Sequence, residues 1–348
     1  MPREVVALAP KRLVYREYDD LPLKPGEVRI RSRLSAEKHG TALTMYRGVS
    51  PFEDKIYDGK MGLFSTKSRT VEERPVFPMR VGNMSVGLVT EVGSKVTRFK
   101  TGDRVYGYLP IREAHTVGED RVESAPDQLS DEELVCVDPA VVALMGVREG
   151  NVRIGEKVAV FGLGAIGLMA VQIARNSGAM LIVGIEPIDR RRALAKRYGA
   201  DLLLDPLQCD AGLEVKKVTN GDGVDISIET SGSYQALHQS IRGTRYGGTI
   251  VPVSWYHGEA KGLNLGEEWH FNRQVLISGA RVESEPYRDY PRWDSRRLYE
   301  TVIQLFRQRR LSIDGMLDPI VGFGEVIEAY RVIDEQPEKS IKLGVRYG

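Results

Sequence analysis

The stretch Lys157-Val-Ala-Val-Phe-Gly-Leu-Gly-Ala-Ile-Gly167, with Glu186 downstream, decides the reading of this chain. Val158 to Phe161 is an apolar run bounded by a turn signal, as in a buried strand. Gly162-Leu-Gly164-Ala165-Ile166-Gly167 follows and opens into a helical pattern from Leu168 to Ser177. A second apolar run, Met180 to Ile185, ends in the acid Glu186. Strand, glycine turn, helix, strand and acid, in that order, are what a dinucleotide site requires. Gly162 suits the tight turn, Gly164 lets backbone approach a pyrophosphate, and Gly167 lets helix and strand pack closely. The pyrophosphate would rest on N–H groups at the helix start, around Ala165 and Ile166. Glu186 lies 22 residues after Gly164, close to the roughly 20 expected for the acid that binds the ribose hydroxyls. Its carboxylate would repel a 2′-phosphate, which favours NAD(H) and leaves NADP(H) as the alternative. Arg190, Arg191 and Arg192 pull toward NADP(H), Arg191 above all; otherwise the run is a solvated helix start.

The rest of the chain agrees with a two-domain α/β protein. Its 348 residues exceed one compact core. Strands are expected at 157–161, 180–185, 224–229, 248–253 and 275–279, alternating with helices, which gives a doubly wound parallel sheet. Thr230, Ser231 and the stretch from Val253 to Tyr256 follow strands at their carboxyl ends, where open α/β sheets bind ligand. Residues 1–125 read as short strands (Val28 to Leu34, Val86 to Val92, Arg104 to Tyr108) with turn punctuation. A helix is expected over 130–149, opened by a capping box of Ser130 and Glu133. Amphipathic helices are expected over 294–312 and from Glu325 to Gln336, with a closing strand from Ser340 to Arg346. The polar connection from Val49 to Pro78 is long enough to suggest a cover over a substrate cleft.

Composition excludes several classes. Formal net charge is +1, so no bulk field recruits nucleic acid or an anionic membrane. Two cysteines, Cys136 and Cys209, allow neither a disulfide framework nor a cysteine-rich zinc module. No apolar run reaches spanning length and the N-terminus lacks a signal-peptide pattern, so a cytoplasmic protein is expected.

Several segments, taken in order, resemble the medium-chain dehydrogenase/reductase superfamily of alcohol and polyol dehydrogenases. They are Pro25-Gly-Glu-Val-Arg-Ile, His39-Gly-Thr-Ala-Leu-Thr-Met-Tyr-Arg-Gly48, Gly82-Asn-Met-Ser-Val-Gly-Leu-Val-Thr-Glu-Val-Gly93 and Thr101-Gly-Asp-Arg-Val-Tyr-Gly107. The nucleotide core, Glu229-Thr-Ser-Gly232 and Lys339-Ser-Ile-Lys-Leu343 complete the likeness, which covers nearly the whole chain. The resemblance implies a GroES-like β-rich catalytic domain over 1–129 and 285–348, and a Rossmann domain over 130–284. It also implies substrate and nicotinamide between the domains, and a homodimer or homotetramer. Lys342 matches a position where a basic residue reaches the cofactor pyrophosphate.

The departures from the family pattern carry the chemistry. His39 stands where zinc-dependent members have Cys, Asn83 where they have His, and Met84 where Glu usually follows. Asp138 stands where many have Glu, and the four-cysteine zinc lobe is missing. The resemblance is therefore to a zinc-free branch, with neither catalytic nor structural zinc expected. Without zinc, the hydroxyl proton and the developing negative charge fall to side chains. His39 is expected to exchange the proton, directly or through Thr41, with Asp138 orienting its ring and Asn83 hydrogen-bonding substrate oxygen. His115, Tyr46, Arg47 and the segment Trp269-His270-Phe-Asn-Arg273 are weaker candidates, with surface or packing roles as the alternative. The expected activity is NAD(H)-linked oxidation of a secondary alcohol of a polyol, sugar or cyclitol. The alternatives are an NADPH-dependent quinone or enoyl reductase and a non-catalytic nucleotide-binding protein.

Overall fold

The structure is a computed structural model and describes residues 1–67, 76–280 and 293–348. The chain divides into two compact units, Met1–Val135 with Pro319–Gly348, and Cys136–Asp318.

The second unit is built on a six-stranded parallel sheet. In spatial order its strands are Leu202–Leu204, Leu181–Ile185, Lys157–Phe161, Val224–Glu229, Thr244–Pro252 and Val275–Leu276. The short strand Leu202–Leu204 is the one that apolar runs did not single out. Central strands here are apolar on both faces because helices cover both sides. The order reverses at Lys157–Phe161. From there the chain proceeds outward through 181–185 and 202–204, then returns to the opposite side at 224–229. Such a switch point opens a crevice at the strands' carboxyl ends, here between Phe161 and its partner Glu229.

The helix expected over 130–149 forms as two pieces, Asp131–Leu134 and Val137–Glu149. The Ser130–Glu133 capping box is present, with Glu133 N–H on Ser130 Oγ at 3.1 Å. Pro139 lacks an N–H and is tolerated only in a first turn, so the chain restarts just before it. Segment 293–318, which the sequence reading placed in the split catalytic domain, lies in the second unit. Gln172 explains this by bonding Ser312 at both ends of its amide, donating to the carbonyl at 3.0 Å and accepting from the N–H at 2.7 Å.

The first unit is β-rich. Strand Glu27–Ala36 pairs with Met84–Val92, Ala114–Gly118 and Lys342–Arg346, all antiparallel. Chain start and chain end share one core, in which Val5, Leu43 and Val81 pack with Tyr330, Leu343 and Val345. Within the connection after Val49, a hairpin of Lys55–Asp58 and Leu63–Thr66 forms, with Tyr57 and Phe64 in ring contact and both exposed. Residues 68–75 of that connection lie outside the described residues.

Candidate active site

In the second unit each glycine of the turn has a separate steric reason. Gly162 sits at φ +84°, and a Cβ there would meet Ser231 N at 2.8 Å. A Cβ at Gly167 would overlap the Gly162 carbonyl oxygen, so only glycine allows the helix Ala165–Asn176 this close. Gly164 has nothing within 4 Å of a built Cβ. Its lack of a side chain therefore leaves open space beside the helix N-terminus, where an anion is favoured by unpaired N–H groups and the helix dipole.

Glu186 is only 4% exposed and backs this turn. It accepts the Leu163 N–H at 2.7 Å and the Ile188 N–H at 3.1 Å, with Arg191 at 3.8 Å. The arginine run is not a solvated helix start. Arg190 pairs with Asp318, Arg191 with Glu186, and Arg192 with the Glu186 carbonyl at 2.6 Å and Asp205 at 3.4 Å.

On the other side of the crevice, Thr230 Oγ1 donates to the Gly162 carbonyl at 2.7 Å, which ties the two turns together. Ser231 donates through N–H (2.7 Å) and hydroxyl to Glu229. Gly232 N–H (3.2 Å) and the Tyr256 hydroxyl also reach that carboxylate. Burial raises the pKa of Glu229 and, with the neighbouring carboxylate, that of Tyr256. Val253 N–H bonds the Glu229 carbonyl at 2.8 Å, so this one residue anchors both loops after their strands. The sequence reading quoted Glu229 without giving it a role; an acid closing an apolar buried strand was the available signal.

In the first unit the candidates collect where strand Glu27–Ala36 ends. Helix His39–Tyr46 begins there, with Thr41 exposed in its first turn. His39 is half-buried, and its Nε2 accepts the Leu343 N–H at 2.9 Å. Asn83 bonds the Ala36 carbonyl through its N–H at 3.0 Å, and its Nδ2 is buried with no hydrogen-bond partner. Lys342 is 2% exposed and donates to the Glu37 carbonyl at 2.8 Å. Glu37, which sequence reasoning missed, is buried and accepts the Gly82 N–H (2.7 Å), the Lys38 N–H (2.7 Å) and the Tyr330 hydroxyl. His39, Asn83 and Lys342 thus share one corner built around Glu37.

Asp138 is buried in the first turn of helix Val137–Glu149. The other candidates of the first unit are tied into its fold. His115 is neither on the surface nor chargeable near neutrality. It is buried in the sheet opposite Ile30, where burial and then Arg112 and Arg80 lower its pKa to about 3. Tyr46 packs on Tyr330 and Arg47 pairs with Asp334 at 2.5 Å, so both are tied into the fold of the first unit.

The pattern described as "Alcohol dehydrogenase GroES-like domain" matches residues 24–150, and the one described as "Zinc-binding dehydrogenase" matches 165–295. A D-guloside 3-dehydrogenase of Escherichia coli is 40% identical, covering 99% of this chain and 100% of its own length. The chain belongs to the medium-chain dehydrogenase/reductase superfamily. An (R,R)-butanediol dehydrogenase of Bacillus subtilis is 28% identical over 72% of this chain and 76% of its own. The crystal structure of 2R,3R-butanediol dehydrogenase from Bacillus subtilis superposes with TM-score 0.78 at 25% identity, covering 99% of each chain. As a member of this superfamily the protein is an enzyme, an oxidoreductase.

Proposed function

We propose that this enzyme oxidises a secondary alcohol of a hydroxyl-rich ring or chain, a sugar, glycoside, polyol or cyclitol, using NAD⁺ and no zinc. The observation that carries the cofactor choice is Glu186 beneath the glycine turn, hydrogen-bonded to Leu163 N–H with Arg191 alongside. Gly162, Gly164, Gly167 and the start of helix Ala165–Asn176 would hold the pyrophosphate, and Glu186 the adenosine ribose. A carboxylate already compensated by Arg191 leaves that arginine less able to take a 2′-phosphate. Bound nicotinamide supplies the hydride acceptor. The relatives named for D-guloside and butanediol oxidation support a carbinol carbon as hydride donor.

The donor set of the first unit does not suit zinc. A catalytic zinc takes three protein ligands from Cys, His and carboxylate. Here Asn83, which shares that corner with His39, offers only a neutral amide. No step is therefore routed through a metal.

His39 would exchange the hydroxyl proton, with Thr41 and Asn83 hydrogen-bonding the reacting oxygen. The Leu343 bond places the proton of the neutral ring on Nδ1. Accepting a second proton at Nε2 means giving up that bond, at about 1–3 kcal/mol. General base catalysis contributes roughly 10²–10⁴-fold, or about 3–5 kcal/mol. The gain exceeds the cost, so His39 remains competent, and strand Lys342–Arg346 is coupled to the proton step.

The test is NADH formation from NAD⁺ with a panel of sugars, glycosides, polyols and cyclitols, before and after chelation. Activity that survives chelation, and falls roughly 10²–10⁴-fold in kcat in His39→Ala, supports the reading. Activity abolished by chelation and restored by zinc overturns it and makes His39 a ligand.

A further inference from the structure

The corner where helix Tyr234–Gly243 meets the short helix Glu268–Phe271 holds three metal-ligating side chains that the proposed reaction does not use. His238, Glu267 and Glu268 each offer one ligand atom, and these atoms lie within 4.8 Å of one another. His238 Nε2 faces Glu267 at 3.9 Å. His238 and Glu268 are largely covered, while Glu267 is exposed and free to change rotamer. Among the described residues this is the one such trio.

A second observation points the same way. His238 Nδ1, Glu268 Oε2 and the neighbouring Trp269 Nε1 are buried and have no hydrogen-bond partner. Buried polar groups are nearly always paired, and a local concentration of unpaired ones marks a place where an ion or ordered water is expected. A buried carboxylate oxygen without a donor is an acceptor left open. Arg242 relieves this incompletely. It reaches Glu268 Oε1 at 3.3 Å but is shared with Asp210 at 2.6 Å.

We propose that His238, Glu267 and Glu268 form a binding site for a divalent cation of the zinc class, with water completing the coordination. Imidazole nitrogen and carboxylate oxygen are both zinc ligands. Bond lengths near 2.0–2.2 Å in a tetrahedron place ligand atoms about 3.4 Å apart, so the trio must contract by roughly one ångström. Exposed Glu267 supplies that movement. The bound ion ties the start of helix Glu268–Phe271, and the connection leading to it from strand Thr244–Pro252, to helix Tyr234–Gly243. It shares no residue with the corner around His39 or with the glycine turn, and it does not depend on the dehydrogenase reading.

The experiment titrates Zn²⁺ into the metal-stripped full-length protein against a chelating dye, and Co²⁺ by its visible absorption. One saturable equivalent is expected for the natural sequence and for His39→Ala. His238→Ala and Glu267→Gln should weaken it at least about tenfold. Zinc should raise Tm in the natural protein and not in these two variants. Glu267 is exposed, so that variant keeps the fold even if His238→Ala does not. Equal binding by His238→Ala and Glu267→Gln, or no saturable equivalent at all, overturns the proposal. Loss of the equivalent in His39→Ala alone would place the ion at His39 and overturn this site together with the zinc-free reaction.

Discussion

At the scale of single residues, Glu186 and His39 are legible in the sequence for different reasons. Glu186 announces itself because an acid at a strand end, a fixed distance past a glycine turn, has few other uses. The bonds it makes to Leu163 N–H and Ile188 N–H are additional, since they would couple the proposed ribose site to the shape of the turn. Replacing Glu186 with Ala should therefore lower kcat/KM for NAD⁺ by roughly 10- to 100-fold, the worth of one or two charge-assisted hydrogen bonds. It should lower kcat/KM for NADP⁺ much less, because Arg191 is then released. Steady-state kinetics with both cofactors checks this, and an unchanged preference would remove Glu186 from the ribose site. His39 was legible as a departure from a pattern, but the bond from Leu343 was not, because 304 residues separate the two.

At the scale of elements, the turn 162–167 combines two kinds of glycine that the motif alone does not distinguish. Gly167 is a packing glycine, since a Cβ there would collide with the Gly162 carbonyl. Gly167→Ala should cost about 1–3 kcal/mol by overpacking. Gly164 faces open space with φ −70°, so Ala is tolerated by the backbone. Gly164→Ala should leave Tm nearly unchanged while weakening cofactor binding at least about tenfold through its methyl group. Thermal melts and NADH fluorescence titration separate the two variants, and equal losses of stability would contradict the distinction. The connection after Val49 was read by composition as a polar cover. Its described part contains a hairpin with exposed Tyr57 and Phe64. Scattered aromatic residues among charges carry a period-two pattern too short to stand out.

At the scale of the molecule, the first unit closes by joining residues from the two ends of the chain. Glu37, Lys342 and Tyr330 form its buried polar centre, with Glu37 lying 293 positions from Tyr330 and 305 from Lys342 in sequence. His115 shows how such burial appears in stability. An unfolded histidine takes up a proton below about pH 6.5, whereas the folded one does so only near pH 3. Between these values the unfolded state binds more protons, so stability falls as pH falls, by up to about 1.4 kcal/mol per pH unit. Urea midpoints from pH 4.5 to 7 should therefore decline less steeply toward acid in His115→Leu than in the natural protein. Parallel declines would show that His115 is not held neutral.

The sequence by itself determined the doubly wound sheet and the glycine turn with its acid, because these depend on residue type and spacing over a few dozen positions; His39 stood out only as a departure from a family pattern. Periodicity and turn chemistry act at that range. Only the tertiary structure decided what surrounds them. It put Leu343 N–H on His39, gave Glu37 and Glu229 their hydrogen-bond donors, withdrew His115 from solvent, and moved residues 293–318 to the second unit. The physical reason is that desolvation and hydrogen-bond pairing are set by neighbours in space. Those neighbours come from segments far apart in the chain, and no local pattern records them.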